Sequence, residues 1–222
     1  MKKGVIYSLI AYTMWGFFPV YWKWLGVVPA LEILSHRMAW SLVFVALLLV
    51  LKKSRLFSAL RRNPRQAAIF LATAAILSVN WGLYIWAVQN NRVVDASLGY
   101  FINPLVNVVF GVFFLDERLR PAHWAAVGLA AAGVLYLALQ SGGLPWIALV
   151  LALSFSTYGL LRKIAPLNSL EGLAVETALL LPFALAYILF LESGGTGSFL
   201  HGGTWTTLLL ILAGPVTALP LL

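Results

Sequence analysis

The side chains able to do chemistry in this chain are few, and most of them sit inside long apolar runs. Arg37 lies well inside the run 30–51. A charge at that depth costs about 2.5–3.5 kcal/mol on insertion scales, so a partner, water or an anionic group on a solute must offset it. A guanidinium can hold a carboxylate bidentately. The bland alternatives are a structural ion pair, or snorkelling of the long side chain to the headgroups. Beside it, His36 has a ring suited to relaying a proton near neutral pH, or simply to hydrogen-bonding within a packed bundle. Glu32, at the start of the same run, reads first as an interfacial residue and second as a gate or proton acceptor. Glu176 is the only carboxylate well inside an apolar run. It is placed either to carry a coupling proton or to pair with Arg37 or Arg162.

A second set of candidates is neutral. Residues 96–115 contain no charge, and twenty such residues cross about 30 Å of hydrocarbon as a helix. Within them Tyr100, Asn103 and Asn107 recur at helical spacing and share one face. Pro104 removes a backbone donor there and disfavours helix at Asn103. Freed backbone groups at membrane depth must face protein or water, so this span is expected to line a cavity. Asn80 and Tyr84 stand at i, i+4 with Trp81 between them, and Trp15 and Tyr158 precede Gly16 and Gly159. Aromatic walls, a few amides and one cation suit a small amphipathic solute. The same residues would equally serve as polar glue between helices.

The elements that must position these groups are membrane helices. Of 222 residues, 62% are hydrophobic and 10% charged, where a soluble domain carries roughly 25% charged residues. Eight apolar segments are expected, at 4–25, 30–51, 67–89, 94–115, 121–140, 143–162, 169–191 and 204–222. Twelve lysines and arginines fall at alternate connections, against Arg92 alone on the other side. This is the positive-inside pattern, and it predicts a cytoplasmic N-terminus. It also accounts for the net charge of +8 without nucleic acid. The opening Met-Lys-Lys and apolar run read as a retained first span, because the run is too long for a signal peptide. The basic stretch 52–66 is either a short amphipathic surface helix or a solvated loop. Trp22, Trp24, Trp124, Trp146 and Trp205 sit at span ends and read as an interfacial belt. Gly111, Gly128, Gly133 and Gly159, with neighbouring alanines, are expected at close helix contacts. Asp116, Glu117 and Arg118 read as a solvated helix end.

A faint repeat aligns Gly16 with Gly159, and Leu31-Glu32 through His36-Arg37 with Leu170-Glu171 through Val175-Glu176. A unit of five spans would start its second copy on the opposite face of the membrane. Inverted repeats place a binding site near the midplane between two halves. Five plus five requires ten spans. This chain stops at eight, inside the apolar run 219–222, and is therefore expected to be a fragment.

Four blocks carry a resemblance to a known family. They are Leu31-Glu32-Ile33-Leu34-Ser35-His36-Arg37 with Trp40-Ser41; Asn80-Trp81 with Tyr84, Trp86 and Ala87; Ala96 through Leu105; and Asp116-Glu117-Arg118-Leu119. Through them the whole chain resembles the EamA-type transporters of the drug/metabolite transporter superfamily, and within these the RarD branch, known as chloramphenicol-sensitivity permeases. The resemblance implies an all-α polytopic membrane protein, a helical bundle of two inverted five-helix repeats in a bacterial inner membrane. It implies movement of small organic metabolites or drugs. Residues 1–140 would be the first repeat, with five spans, and 141–222 an incomplete second repeat with three.

The expected activity is thus secondary transport by alternating access, with no cofactor or metal. Arg37, Asn80, Trp81, Tyr84, Tyr100, Asn103, Asn107, Trp15 and Tyr158 are the candidates for substrate binding. His36, Glu176, Glu32 and Pro104 are the candidates for coupling or gating. The expected partners are a small anionic or amphipathic solute and the lipid bilayer; both proton coupling and uncoupled exchange fit, and the oligomeric state is open. A membrane-embedded protease would need a nucleophile and base, a carboxylate pair or a His-Glu metal motif in the spans, and none stands at usable spacing. No nucleotide-binding motif is present, which excludes direct ATP drive by this chain. The remaining alternative is a truncated, non-transporting relative that serves as a membrane scaffold.

Overall fold

A computed structural model describes residues 2–52, 64–140, 145–165 and 167–222. Eight helices among them are long and apolar enough to cross a membrane. In chain order they are α1 (Lys2–Trp24), α2 (Ala30–Leu51), α3 (Pro64–Gln89), α4 (Val93–Leu115), α5 (Pro121–Gln140), α6 (Trp146–Ile164), α7 (Ser169–Ser193) and α8 (Gly203–Ala218), the last continued by a 3₁₀ turn, Leu219–Leu221. The chain is an all-α polytopic membrane protein. Its spans are those expected from hydropathy, displaced by a few residues at some ends. Most of the basic stretch 52–66 lies outside the described residues.

Local chemistry explains several of the ends. Asn168 accepts a hydrogen bond from the Glu171 amide at 2.9 Å and so starts α7, satisfying one of the orphan amides of a helix N-terminus. Asn91, after α3, has φ 58°, and the Arg92 amide returns to the Ala87 carbonyl at 2.8 Å. A left-handed residue closing the last turn is a common helix stop, and asparagine tolerates it. Asp116 ends α4 the same way, at φ 52°.

Two compact units can be distinguished, 1–75 with 165–222, and 76–164. In the first, α2 packs along both α7 and α8. The core there includes Trp22, Leu25, Ile33, Met38, Leu173 and Leu210. The two helices that carry the faint repeat, α2 and α7, therefore pack against each other, antiparallel: the start of α2 lies by the end of α7, where Glu32 meets Ser198. Gly214 lets α8 approach α2 closely: a Cβ at that position would fall on the backbone of Trp40 and Ser41. The Ser41 hydroxyl donates to the Gly214 carbonyl at 3.3 Å across the contact.

In the second unit α4 packs along α6, around Leu98, Ile102, Ala148 and Ala152, with Val134 of α5 at the margin. Gly99 is the close contact here; a Cβ would meet the Ala148 carbonyl oxygen and the Leu151 Cβ at 3.0 Å. No residue of α5 is buried among the described residues.

Three expectations need correction. Helix α4 runs unbroken through Pro104: one missing hydrogen bond is tolerated when the rest of a membrane helix holds. A Cβ on Gly128, Gly133 or Gly159 would meet nothing within 4 Å among the described residues, so the close contacts belong to Gly99 and Gly214 instead. Trp22 is not an interfacial residue. It is fully buried, packed edge-on to Phe18 and Tyr21, whereas Trp24, Trp124, Trp146 and Trp205 are about half exposed.

Candidate functional site

In the first unit the ionisable groups of α2 are enclosed. Arg37 is 3% exposed. Its Nε donates to the Thr217 hydroxyl at 3.0 Å, and that hydroxyl donates in turn to the Ala213 carbonyl at 2.6 Å. The guanidinium carbon lies 5.5 Å from the centroid of the Trp22 ring, within the range of a cation–π attraction, which strengthens where water is excluded. Three helices therefore converge on one cation: α1 through Trp22, α2 itself, and α8 through Thr217. Tyr21 ties α1 to α8 directly, its hydroxyl donating to the Leu209 carbonyl. The arrangement does not let Arg37 snorkel. Arg37 stands about two turns, roughly 10 Å, from the start of α2 at 1.5 Å per residue, among buried side chains. Glu176 is fully buried on α7, the other helix packed along α2. Trp15 is partly buried on α1, and its ring meets that of Tyr12 edge-on at 5.3 Å.

Glu32 differs from its expected interfacial role. It is 1% exposed, and its carboxylate accepts from the Ser198 amide at 2.6 Å and the Ser198 hydroxyl at 3.0 Å. One turn further on, His36 is 3% exposed and stacks on Phe199 with ring centroids 4.7 Å apart.

In the second unit the buried polar side chains among the described residues, Asn80 and Ser156, are neutral and bonded across helices. Asn80 of α3 donates to the Leu151 carbonyl at 3.0 Å and the Ser154 hydroxyl at 2.8 Å. Asn103 of α4 donates to the Ser156 hydroxyl at 3.1 Å, and Asn107 donates to the Asn103 side-chain oxygen at 2.9 Å. Tyr84 and Tyr100 meet edge-on at 5.7 Å. Trp81 and Tyr84 are buried, while Tyr100 is 45% exposed. Pro104 and Asn107 are exposed and Asn103 partly so. Tyr158 of α6 lies 6.0 Å from Phe155 between centroids. The amides of Asn80 and Asn103 thus reach carbonyls and hydroxyls of α6, which is how polar side chains join membrane helices. At the ends of α4 and α6, Glu117 and Lys163 form an exposed ion pair at 2.8 Å.

The EamA-like transporter family matches residues 2–139. Protein RarD of Streptomyces exfoliatus is 51% identical over 99% of this chain and 70% of its own length. Protein RarD of Escherichia coli is 43% identical over 100% of this chain and 75% of its own. The chain belongs to the EamA-like transporter family. Within that family it is RarD-like, and it is a membrane permease in the general sense its relatives' names carry. The chloramphenicol-sensitive protein RarD of Pseudomonas aeruginosa is more distant, 34% identical over 98% of this chain and 74% of that relative. No solved structure matches the chain.

Membership in the EamA-like family frames the residues that sequence reasoning missed. Thr217 and Trp22, which hold Arg37, and Ser198 and Phe199, which cover Glu32 and His36, carry no local mark of their roles. Thr217 is 180 residues from Arg37, and Trp22 looked like any span-end tryptophan. Only its place in the last turn of α1, just before Leu25-Gly26 turn the chain, could have pointed to it.

Proposed function

We propose that this permease moves a small organic solute by alternating access between two inverted halves, and that Arg37 recognises an anionic group on the solute. The observation that carries this is the enclosed guanidinium inside a membrane span, held by Thr217 and Trp22. A charge is expensive there and is normally kept for a substrate or ion pathway. The packing of α2 along α7 supports the repeat, because elements exchanged by a two-fold meet when they lie beside its axis. The charge asymmetry supports an N-terminus on the cytoplasmic side of a bacterial inner membrane. Glu176 is the group proposed to carry a coupling proton where transport is proton-driven.

The test is the melting temperature of the purified protein against amino acids, organic acids and amphipathic drugs, chloramphenicol included because one relative is named for it. A solute at a hundredfold excess over its dissociation constant stabilises the folded state by about 2.7 kcal/mol. A shift from one chemical class that disappears in Arg37→Gln, with that variant still folded, supports the proposal. A shift that survives Arg37→Gln removes Arg37 from recognition. A flat response to every anionic and amphipathic compound overturns the proposed solute class.

A further inference from the structure

We propose that the connection between α7 and α8, residues 194–202, is a lid over the first turns of α2, with Glu32 as its latch and Phe199 as its plug. This rests on the transport reading above and gives its gate a location. Three contacts fix the connection in place. Glu32 grips Ser198 through both its amide and its hydroxyl. Phe199 lies flat on His36 at 4.7 Å and beside Trp40 at 6.3 Å. At the far end Glu192 reaches His201 at 3.1 Å. Beneath these contacts Glu32 and His36 are each at 3% exposure or less.

The same contacts are of a kind that can be released. The latch is one carboxylate on one serine, and the rest of the lid is polar and turn-rich, which puts it at the low end of local stability. Leu200 is held at φ 62°, with its amide on the Thr207 hydroxyl at 3.1 Å. A leucine in the left-handed region is strained, and such strain persists only while neighbours impose it. Glycines at φ 65° and 88°, Gly195 and Gly203, stand at the two ends of the segment and can absorb a hinge motion. Beneath the plug, His36 Nε2 is buried with no hydrogen-bond partner among the described residues. A buried polar atom left unbonded disfavours the closed arrangement, and lifting Phe199 would offer that atom to water or solute. Closed and open positions are therefore close in free energy, as a gate requires.

The chain contains no cysteine, so one introduced thiol reports alone. His36→Cys in nanodiscs, where both membrane faces are reachable, is treated with a polar maleimide and the labelling rate measured. Slow labelling is expected with the native lid. Adding Glu32→Gln should raise the rate about tenfold, the factor that one charge-assisted hydrogen bond is worth in a closed–open equilibrium. Phe199→Ala, which leaves the latch intact, should raise it as well, and Ser198→Ala should raise it less than Glu32→Gln because the amide bond survives. Fast labelling of His36→Cys with the native lid overturns the proposal, and so does a rate unchanged by both Glu32→Gln and Phe199→Ala. The assay needs no solute. A lid confirmed here alongside a failed solute screen would leave the gate standing and the cargo reading wrong, and the converse would show the reverse.

Discussion

The two units use the same device for bringing helices together and opposite devices for their polar groups. In each, one glycine lets two helices touch: Gly214 of α8 against Trp40 and Ser41, and Gly99 of α4 against Ala148 and Leu151. In the first unit the buried polar residues include Glu32, Arg37 and Glu176; in the second, among the described residues, Asn80 and Ser156 are buried and no charged side chain is. A membrane protein gains little from a charge as adhesive, since amides and hydroxyls already join helices at about 0.6–2 kcal/mol per contact without an ionic desolvation cost. Under the proposed function, that contrast assigns recognition to the first unit and packing to the second. If that division is right, substitutions should sort by unit and not by depth in the membrane.

The largest effect is expected at the tighter crossing. Gly214→Val drives a side chain into the α2 backbone and should cost at least the ~3 kcal/mol at the upper end of ordinary overpacking, seen as loss of monodisperse protein on size exclusion. Gly99→Ala should be milder, about 1–2 kcal/mol, because its neighbours lie at 3.0 Å and can give slightly. Equal losses of melting temperature for Gly99→Ala and Gly214→Ala would erase the distinction between the crossings. Next comes the division of roles itself. Asn80→Leu and Asn103→Leu should each lower stability by about 1 kcal/mol and leave solute-induced stabilisation in place, whereas Arg37→Gln should remove the latter. An Asn103→Leu variant that stays folded and no longer responds to solute would move recognition into the second unit. The smallest effect belongs to the exposed Glu117–Lys163 pair, whose side chains are more than half exposed. Lys163→Ala should shift stability by less than about 1 kcal/mol, and less again in high salt.

The spans were legible because the bilayer asks one simple thing of each, about twenty mostly apolar residues with few charges, and the described residues meet that eight times. The stripe of Asn103 and Asn107 was legible too, because i, i+4 spacing puts them on one face, and they do bond to one another. Pro104 was misjudged because its cost was weighed alone, when the flanking turns of α4 hold their hydrogen bonds. The closeness of Gly99 and Gly214 could not be told from that of Gly128 or Gly133, since a glycine matters only where another backbone arrives.

By itself, then, the amino-acid sequence determined what concerns each helix and the solvent around it: that the chain is a membrane protein, where its spans lie, which residues are polar at depth, and which family they resemble. Those are local properties, summed along one dimension. Only the tertiary structure decided that Trp22 and Thr217 enclose Arg37, and that Ser198 and Phe199 cover Glu32 and His36. Partners up to 180 residues apart are chosen by how helices pack, and no spacing along the chain records that choice.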